Sequence, residues 1–167
     1  MLPKILTTLF LAMACAVPAA RAELSAPEGR VLLTVSGDIS ATNTEDMAEF
    51  DRDMLMALDW REIETFTSFT EGPQVFAGPT LASVLAAAQA RGDTLTVTAL
   101  NDYAVSFPRD LAVRHGALLA MDHAGRPMRI RDKGPIWIVF PLTETEAADA
   151  PFDNQMVWQL AKVHVGP

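Results

Sequence analysis

The stretch RIRDKGPIWIVFPL, Arg129 to Leu142, is basic at its start, breaks at Gly134-Pro135 and continues as an apolar run with a tryptophan inside it. Read as a strand, it places Trp137 and Val139 on one face and Ile136, Ile138 and Phe140 on the other. The isoleucine and phenylalanine face reads as core. Trp137 either fills core as well, and then its indole N–H needs an acceptor, or it offers a flat surface to a ligand. Proline at the opening of a strand fixes the entry angle, and glycine lets a second backbone or a ligand come close. Asp132 and Lys133 place two charges at that entry. What this strand packs against depends on the rest of the chain.

Upstream, residues 1–22 read as an export signal. Lys4 gives a positive start, ILTTLFLAMACAV is apolar, and Ala20-Arg21-Ala22 has small-x-small cleavage spacing. Pro18 and Arg21 close the apolar run before it is long enough to span a bilayer. The expected mature chain begins near Glu23, in the periplasm, with cleavage between Ala22 and Glu23; lipid attachment at Cys15 is the alternative. Cys15 is the only cysteine, so the mature chain offers no disulfide, no thiolate ligand and no cysteine nucleophile. Residues 23–167 are enough for one domain with a packed core. Without Lys4 and Arg21 the remainder holds 11 basic and 21 acidic residues, a formal charge of −10. That balance argues against nucleic acid as a partner and against anionic membrane surfaces.

The pattern predicts an α+β domain with a mixed, mainly antiparallel sheet and two main helices. Val31–Gly37 reads as a strand ended by Gly37. ATNTEDMAEFDRDMLMALDW reads as a helix, with capping-box spacing from Thr42 to Glu45 and Met47, Phe50, Met54 and Leu58 on one face. Ile63–Thr70 reads as a strand, Glu71-Gly72-Pro73 as a turn, and Gly78-Pro79 as a second turn before a helix. In that helix Leu81, Val84, Leu85 and Ala88 face inward and Gly92 stands as its C-terminal cap. TLTVTAL and YAVSF form a hairpin turning at Asn101-Asp102, PRDLAVRHG a short helix, and ALLAMDHAGRPMRI a hairpin turning at Ala124-Gly125. TETEAADAPFDN reads as an acidic loop, and MVWQLAKVHV as a closing strand or helix plus strand.

Standard catalytic settings are missing. His115, His123 and His164 have no metal-ligand spacing, and Ser36, Ser68, Ser83 and Ser106 lack a Gly-x-Ser-x-Gly context. Glu144, Glu146, Asp149 and Asp153 read as a solvated acidic face, so no metal is expected. What remains are aromatic and polar residues at strand ends. Asn101, Asp102 and Tyr103 occupy a turn, where the first two either build the turn or face a ligand.

Four segments in order carry a resemblance: the F-x-G-x-x-L-x-x-V-L pattern of Phe76–Leu85, then ALNDYAVSFPRDL, LLAMDHAGRPM and KGPIWIVFP. Together they resemble the oxidoreductase molybdopterin-binding domain, the sulfite-oxidase-type fold, from about Val31 to Val165. Enzymes of that family hold molybdenum through a cysteine near the segment aligned with TFTSFT, where this chain offers Thr65, Thr67 and Ser68. They tend to read Gly-Pro-x-Arg where Gly134-Pro135-Ile136-Trp137 stands, and Lys-Trp-Leu where WQL puts Trp158 in the lysine's place. The chain thus loses two basic anchors for an anionic cofactor and gains two flat apolar surfaces.

Those departures make it similar to small exported, cysteine-lacking, pterin-binding sensors of the same fold. The resemblance implies a non-catalytic module that binds a free pterin and reports to the periplasmic domain of a membrane protein that makes or degrades cyclic di-GMP, or to another periplasmic partner. It implies ligand-binding roles for Trp137, Trp158, Asn101, Asp102, Tyr103, Asp132, Lys133, Gly134, Thr67 and Phe69. The alternative is a molybdopterin-dependent oxidoreductase, or a redox-chain subunit, with an oxygen ligand from Thr67 or Ser68.

Overall fold

A computed structural model describes residues 24–167; the expected cleavage site at Ala22/Glu23 and the lipid-attachment alternative at Cys15 lie outside the described residues. In chain order the elements are β1 (Leu33–Gly37), β2 (Ala48–Phe50), α1 (Arg52–Met56), β3 (Trp60–Thr65) and β4 (Gln74–Pro79). Then come α2 (Leu81–Ala87), β5 (Thr94–Ala99), β6 (Ala104–Pro108), α3 (Arg109–Arg114), β7 (Leu118–Ala120), β8 (Asp122–His123) and β9 (Arg126–Pro127). A 3₁₀ turn (Ile130–Asp132), β10 (Trp137–Val139), α4 (Glu144–Ala148) and β11 (Leu160–Gly166) complete the fold. The strands make a five-stranded sheet in the order β2-β1-β11-β5-β6, a four-stranded sheet β3-β4-β8-β9, and a two-stranded ribbon of β10 and β7. Only the β1–β11 pairing is parallel; every other ladder among the described residues is antiparallel. The domain is α+β with mixed, mostly antiparallel sheets, and its α-helices among the described residues are four short ones rather than two main ones.

The ribbon explains the apolar run around Trp137. Ile136, Ile138 and Phe140, with Leu119 of β7, enter the large core beneath the five-stranded sheet. Trp137 and Val139, with Leu118 and Ala120, turn the other way into a smaller core with Phe76 and Met128. A strand buried on both faces has no polar side to show, so it reads as an unbroken apolar segment. The two faces divide as the alternation predicts. Close approach of β4 to the ribbon depends on Gly78, where an added Cβ would lie 1.9 Å from the Leu119 carbonyl oxygen.

Several local expectations are corrected. The helix expected through Met47, Phe50, Met54 and Leu58 is a turn, a strand and a five-residue helix. Asn43 competes with the helix: its Oδ1 accepts the Glu49 N–H and its Nδ2 donates to the Ser25 and Glu49 carbonyls, returning the chain beside β1 as β2. The cap falls at Asp51, whose Oδ1 accepts the Met54 N–H at 2.9 Å. The strand expected at Ile63–Thr70 runs instead over Trp60–Thr65 and ends where Thr67 folds back on its own loop. Gly78-Pro79 lies inside β4, and Thr80, not a turn, caps α2. Gly92 is not the helix cap; Ala88 is, and Gly92 is needed where a Cβ would meet the Gly166 carbonyl at 2.0 Å. The acidic segment is not all loop, because Thr143 and Glu146 form a capping box that starts α4. The inward face of α2, the Asn101-Asp102 and Ala124-Gly125 turns and α3 stand as the sequence predicts.

Asp51 also ties the chain before β1 to α1, because its Oδ2 accepts the N–H groups of Glu28 and Gly29 at 2.8 Å each. These backbone donors, Met54 first, hold its carboxyl below the ordinary aspartate range. A depressed carboxyl pKa stabilises the folded chain above the unfolded value and stops doing so as pH falls through the folded one. Asp51→Asn, with one acceptor oxygen in place of two, is therefore expected to lower the melting temperature at neutral pH. The gap from the parent stays constant above about pH 5 and narrows below about pH 4. Melting curves across that range check it; a gap of the same size at all pH values would contradict the charged role.

Candidate functional site

An open hollow of about 470 Å³ lies where the β5–β6 turn, the loop after β3 and the segment before β11 meet. Its floor is apolar, from Ala99, Met156 and Val157. Its walls are Phe69, Tyr103 and Trp158, and its rim carries Asn101, Asp153 and Asn154. Tyr103 is 53% exposed and Trp158 40%, unusual for large rings in a domain whose other tryptophan on this side is buried. Phe69 stands edge-on to Trp158 at 5.4 Å and fixes the angle of that wall. The rim is anchored as well: Ser68 donates to the Asp153 carboxylate at 2.7 Å, and the Tyr103 N–H donates to Asn101 Oδ1 at 3.3 Å. Aromatic faces over an apolar floor, with amide and carboxylate groups at the edge, suit a flat heterocycle whose edge bears N–H donors.

Of the ten residues expected at a site, Asn101, Tyr103, Phe69 and Trp158 line the hollow. Trp137 does not. It is 2% exposed, its indole N–H donates to the Met156 carbonyl at 3.0 Å, and it packs edge-on against Phe76 and Phe69. It backs the floor and the Phe69 wall, and of the two tryptophans expected at a site only Trp158 lines the hollow. Thr67 is buried, its hydroxyl shared with Thr70 at 2.8 Å and accepting the Phe69 N–H, so it shapes the loop that presents Phe69. Asp102 takes the left-handed conformation that closes the turn, with φ of 63°, and does not line the hollow. Ala99, Asp153, Asn154, Met156 and Val157 also line the hollow, and no motif in the sequence marks them.

The opening segment sits behind Trp158. Lys133 has φ of 70°, its carbonyl accepts the Gln159 N–H, and its ammonium donates to the Phe69 carbonyl at 3.3 Å. The same ammonium lies 4.9 Å from the Trp137 ring centre and 6.0 Å from that of Trp158. Lys133 thus braces two aromatic rings rather than reaching into the hollow. Gly134 is required by packing, since a Cβ there would meet the Met128 carbonyl at 2.4 Å. Asp132 belongs to another part of the surface, where Arg129 donates to it at 2.7 Å and holds its carboxyl below the usual range.

The residues do not fit the anionic molybdopterin of the enzymes. Thr65 donates to the Phe140 carbonyl and accepts the Leu142 N–H, Thr67 is shared with Thr70, and Ser68 is held by Asp153. Each oxygen that stands where the cysteine is expected is already committed within the fold. Among the described residues no guanidinium or ammonium lines the hollow to meet a phosphate, and Asp153 would repel one. Among the described residues no three His, Asp or Glu side chains converge as a metal site would require. Comparison with known proteins gives no matching family model and no matching curated relative.

Proposed function

We propose that the protein is an exported, non-catalytic binding module for a pterin-like ligand, with the sulfite-oxidase-type fold turned from cofactor chemistry to recognition. The observation that carries this reading is the half-exposed pair Tyr103 and Trp158 over an apolar floor, with Asn101, Asp153 and Asn154 at the edge. A pterin is planar enough to lie against such walls, and its amino and amide N–H groups match carboxylate and amide acceptors. The acidic rim favours a ligand without phosphate. Export rests on residues 1–22 of the sequence. No helix among the described residues is long and apolar enough to cross a membrane, which suits a module that acts by contact with the periplasmic domain of a membrane protein controlling cyclic di-GMP. The catalytic alternative, a molybdopterin oxidoreductase with an oxygen ligand, has less support, because Thr67 and Ser68 are hydrogen-bonded within the protein.

A panel of reduced and oxidised pterins tests this by thermal shift. At a hundred times the dissociation constant, the right ligand should stabilise the protein by about 2.7 kcal/mol, a rise of about 5–10 °C. Tyr103→Ala removes a largely exposed ring and should fold with nearly parental stability. Trp158→Ala should fold with a loss of about 1–2 kcal/mol from its contacts with Phe69 and Lys133. Each should bind at least about tenfold more weakly, as lost ring stacking implies. A parent that no pterin stabilises would sink the reading. Equal binding by parent and both variants would sink the assignment of the hollow.

A further inference from the structure

On another face, the β8–β9 hairpin and the 3₁₀ turn enclose a second hollow of about 360 Å³, lined by His123, Arg126, Pro127, Met128, Arg129 and Asp132. In a chain of net charge −8, residues 126–131 contribute three arginines and no acid. Elsewhere the arginines of salt bridges each have a nearby aspartate of their own: Arg52 with Asp122, Arg61 with Asp59, Arg109 with Asp93 and Arg114 with Asp110. Here Asp132 serves Arg129 at 2.7 Å and Arg131 at 3.8 Å, and Arg126 has no carboxylate within reach among the described residues. Between Arg129 and Arg131 stands Ile130, 50% exposed.

Charge and proline on β9, an edge strand, would by themselves guard the sheet against pairing with another sheet. A half-exposed isoleucine among the arginines serves no such purpose. Arginines around an apolar knob are the composition of a protein-binding surface. The charge extends past the hollow to Arg131, farther than one small anion needs. The chain's own acidic segment is a poor occupant, since Glu146 caps α4 and Asp153 holds Ser68. We propose that this hollow and Ile130 form a docking surface for a carboxylate-rich segment of a partner protein. The inference rests on the preceding reading only in taking the protein to act through a partner, and it requires no ligand in the aromatic hollow.

The test is a fluorescence-anisotropy titration, without pterin, of a synthetic peptide of alternating glutamate and leucine, beside its glutamine counterpart and inorganic phosphate. The glutamate peptide should bind, the glutamine peptide should not, and affinity should fall about tenfold between about 50 and 300 mM salt. The Arg126→Gln/Arg129→Gln/Arg131→Gln triple variant should lose at least about tenfold in affinity and most of the salt dependence. Ile130→Ser should weaken binding while leaving the salt dependence as in the parent. Arg61→Gln, an exposed arginine elsewhere, should change neither. All these side chains are exposed, and melting curves confirm that the variants fold; Arg131→Glu alone repeats the measurement should the triple variant fail to fold. No binding of the glutamate peptide, or equal binding by parent and arginine variants, overturns the proposal. Phosphate binding that depends on the arginines, without peptide binding, overturns it in favour of a small-anion site. Low-salt self-association of the parent that the arginine variants lose overturns it in favour of a second copy.

Discussion

Trp137→Ala is expected to destabilise the protein by about 3–5 kcal/mol, a fall in melting temperature of about 10–15 °C. Trp137 is among the largest fully buried side chains, at the centre of the smaller core with Phe76, Leu118, Met128 and Val139. Its removal leaves a cavity that neighbouring strands cannot close, and it also strands the Met156 carbonyl. Trp137→Phe separates the two effects. It keeps most of the packing and loses the 3.0 Å hydrogen bond to Met156, a loss of about 1–3 kcal/mol. Because Met156 and Phe69 line the aromatic hollow, folded Trp137→Phe should also bind ligand more weakly, through displaced walls rather than a lost contact. Chemical denaturation of the three proteins measures this; a Trp137→Ala variant within about 1 kcal/mol of the parent would contradict the packing described.

Gly78→Ala is expected to be at least as damaging, with a loss of at least about 3 kcal/mol or failure to fold. A methyl group is the smallest possible addition, but its carbon would lie 1.9 Å from the Leu119 carbonyl oxygen and 2.8 Å from the carbonyl carbon. Both atoms are backbone of β7, so no rotamer change relieves the overlap. β4 must move away from the ribbon, and the Met121 N–H bond to the Ala77 carbonyl beside it is put at risk. Gly125→Ala is the informative contrast: nothing lies within 4 Å of a Cβ there, and the strain of its φ of 70° is the sole penalty, about 1 kcal/mol. Similar melting temperatures for the two variants would show that β4 and β7 are not held together as described.

The core strand around Trp137 was legible because alternation assigns faces whatever lies on them, and both faces found cores. The sequence could not show which core takes the tryptophan, since its hydrogen-bond acceptor is the Met156 backbone carbonyl, a group every residue carries. The segment before α1 was misread because Met47, Phe50 and Met54 fit a helical period, while the bonds that break the helix run from Asn43 to Ser25 and Glu49. At α4 the only sequence mark is the Thr143-x-x-Glu146 capping box. That helix buries Ala147 alone, so it has no apolar stripe to notice. The hollow was half legible: Tyr103, Asn101, Trp158 and Phe69 stand out as aromatic or turn residues, whereas Asp153 and Asn154 look like any polar loop. Lys133 was expected to face the ligand, and its real partners, a carbonyl and two ring faces, carry no sequence mark.

The position of β11 has a kinetic consequence. It lies between β1 and β5, with Val163 opposite Val35 on one side and Val97 on the other, so the middle of the five-stranded sheet is supplied by the element synthesised last among those described. Ser36 and His164, neighbours across the β1–β11 ladder, are 128 residues apart in the chain. Loop closure over that span must precede the contacts that reward it, and β1 with β2 has too little sheet to stand alone while it waits. High contact order of this kind places refolding in the millisecond-to-second range rather than in microseconds. Until β11 is in place, β1 and β5 have no strand between them to join the two halves of the five-stranded sheet.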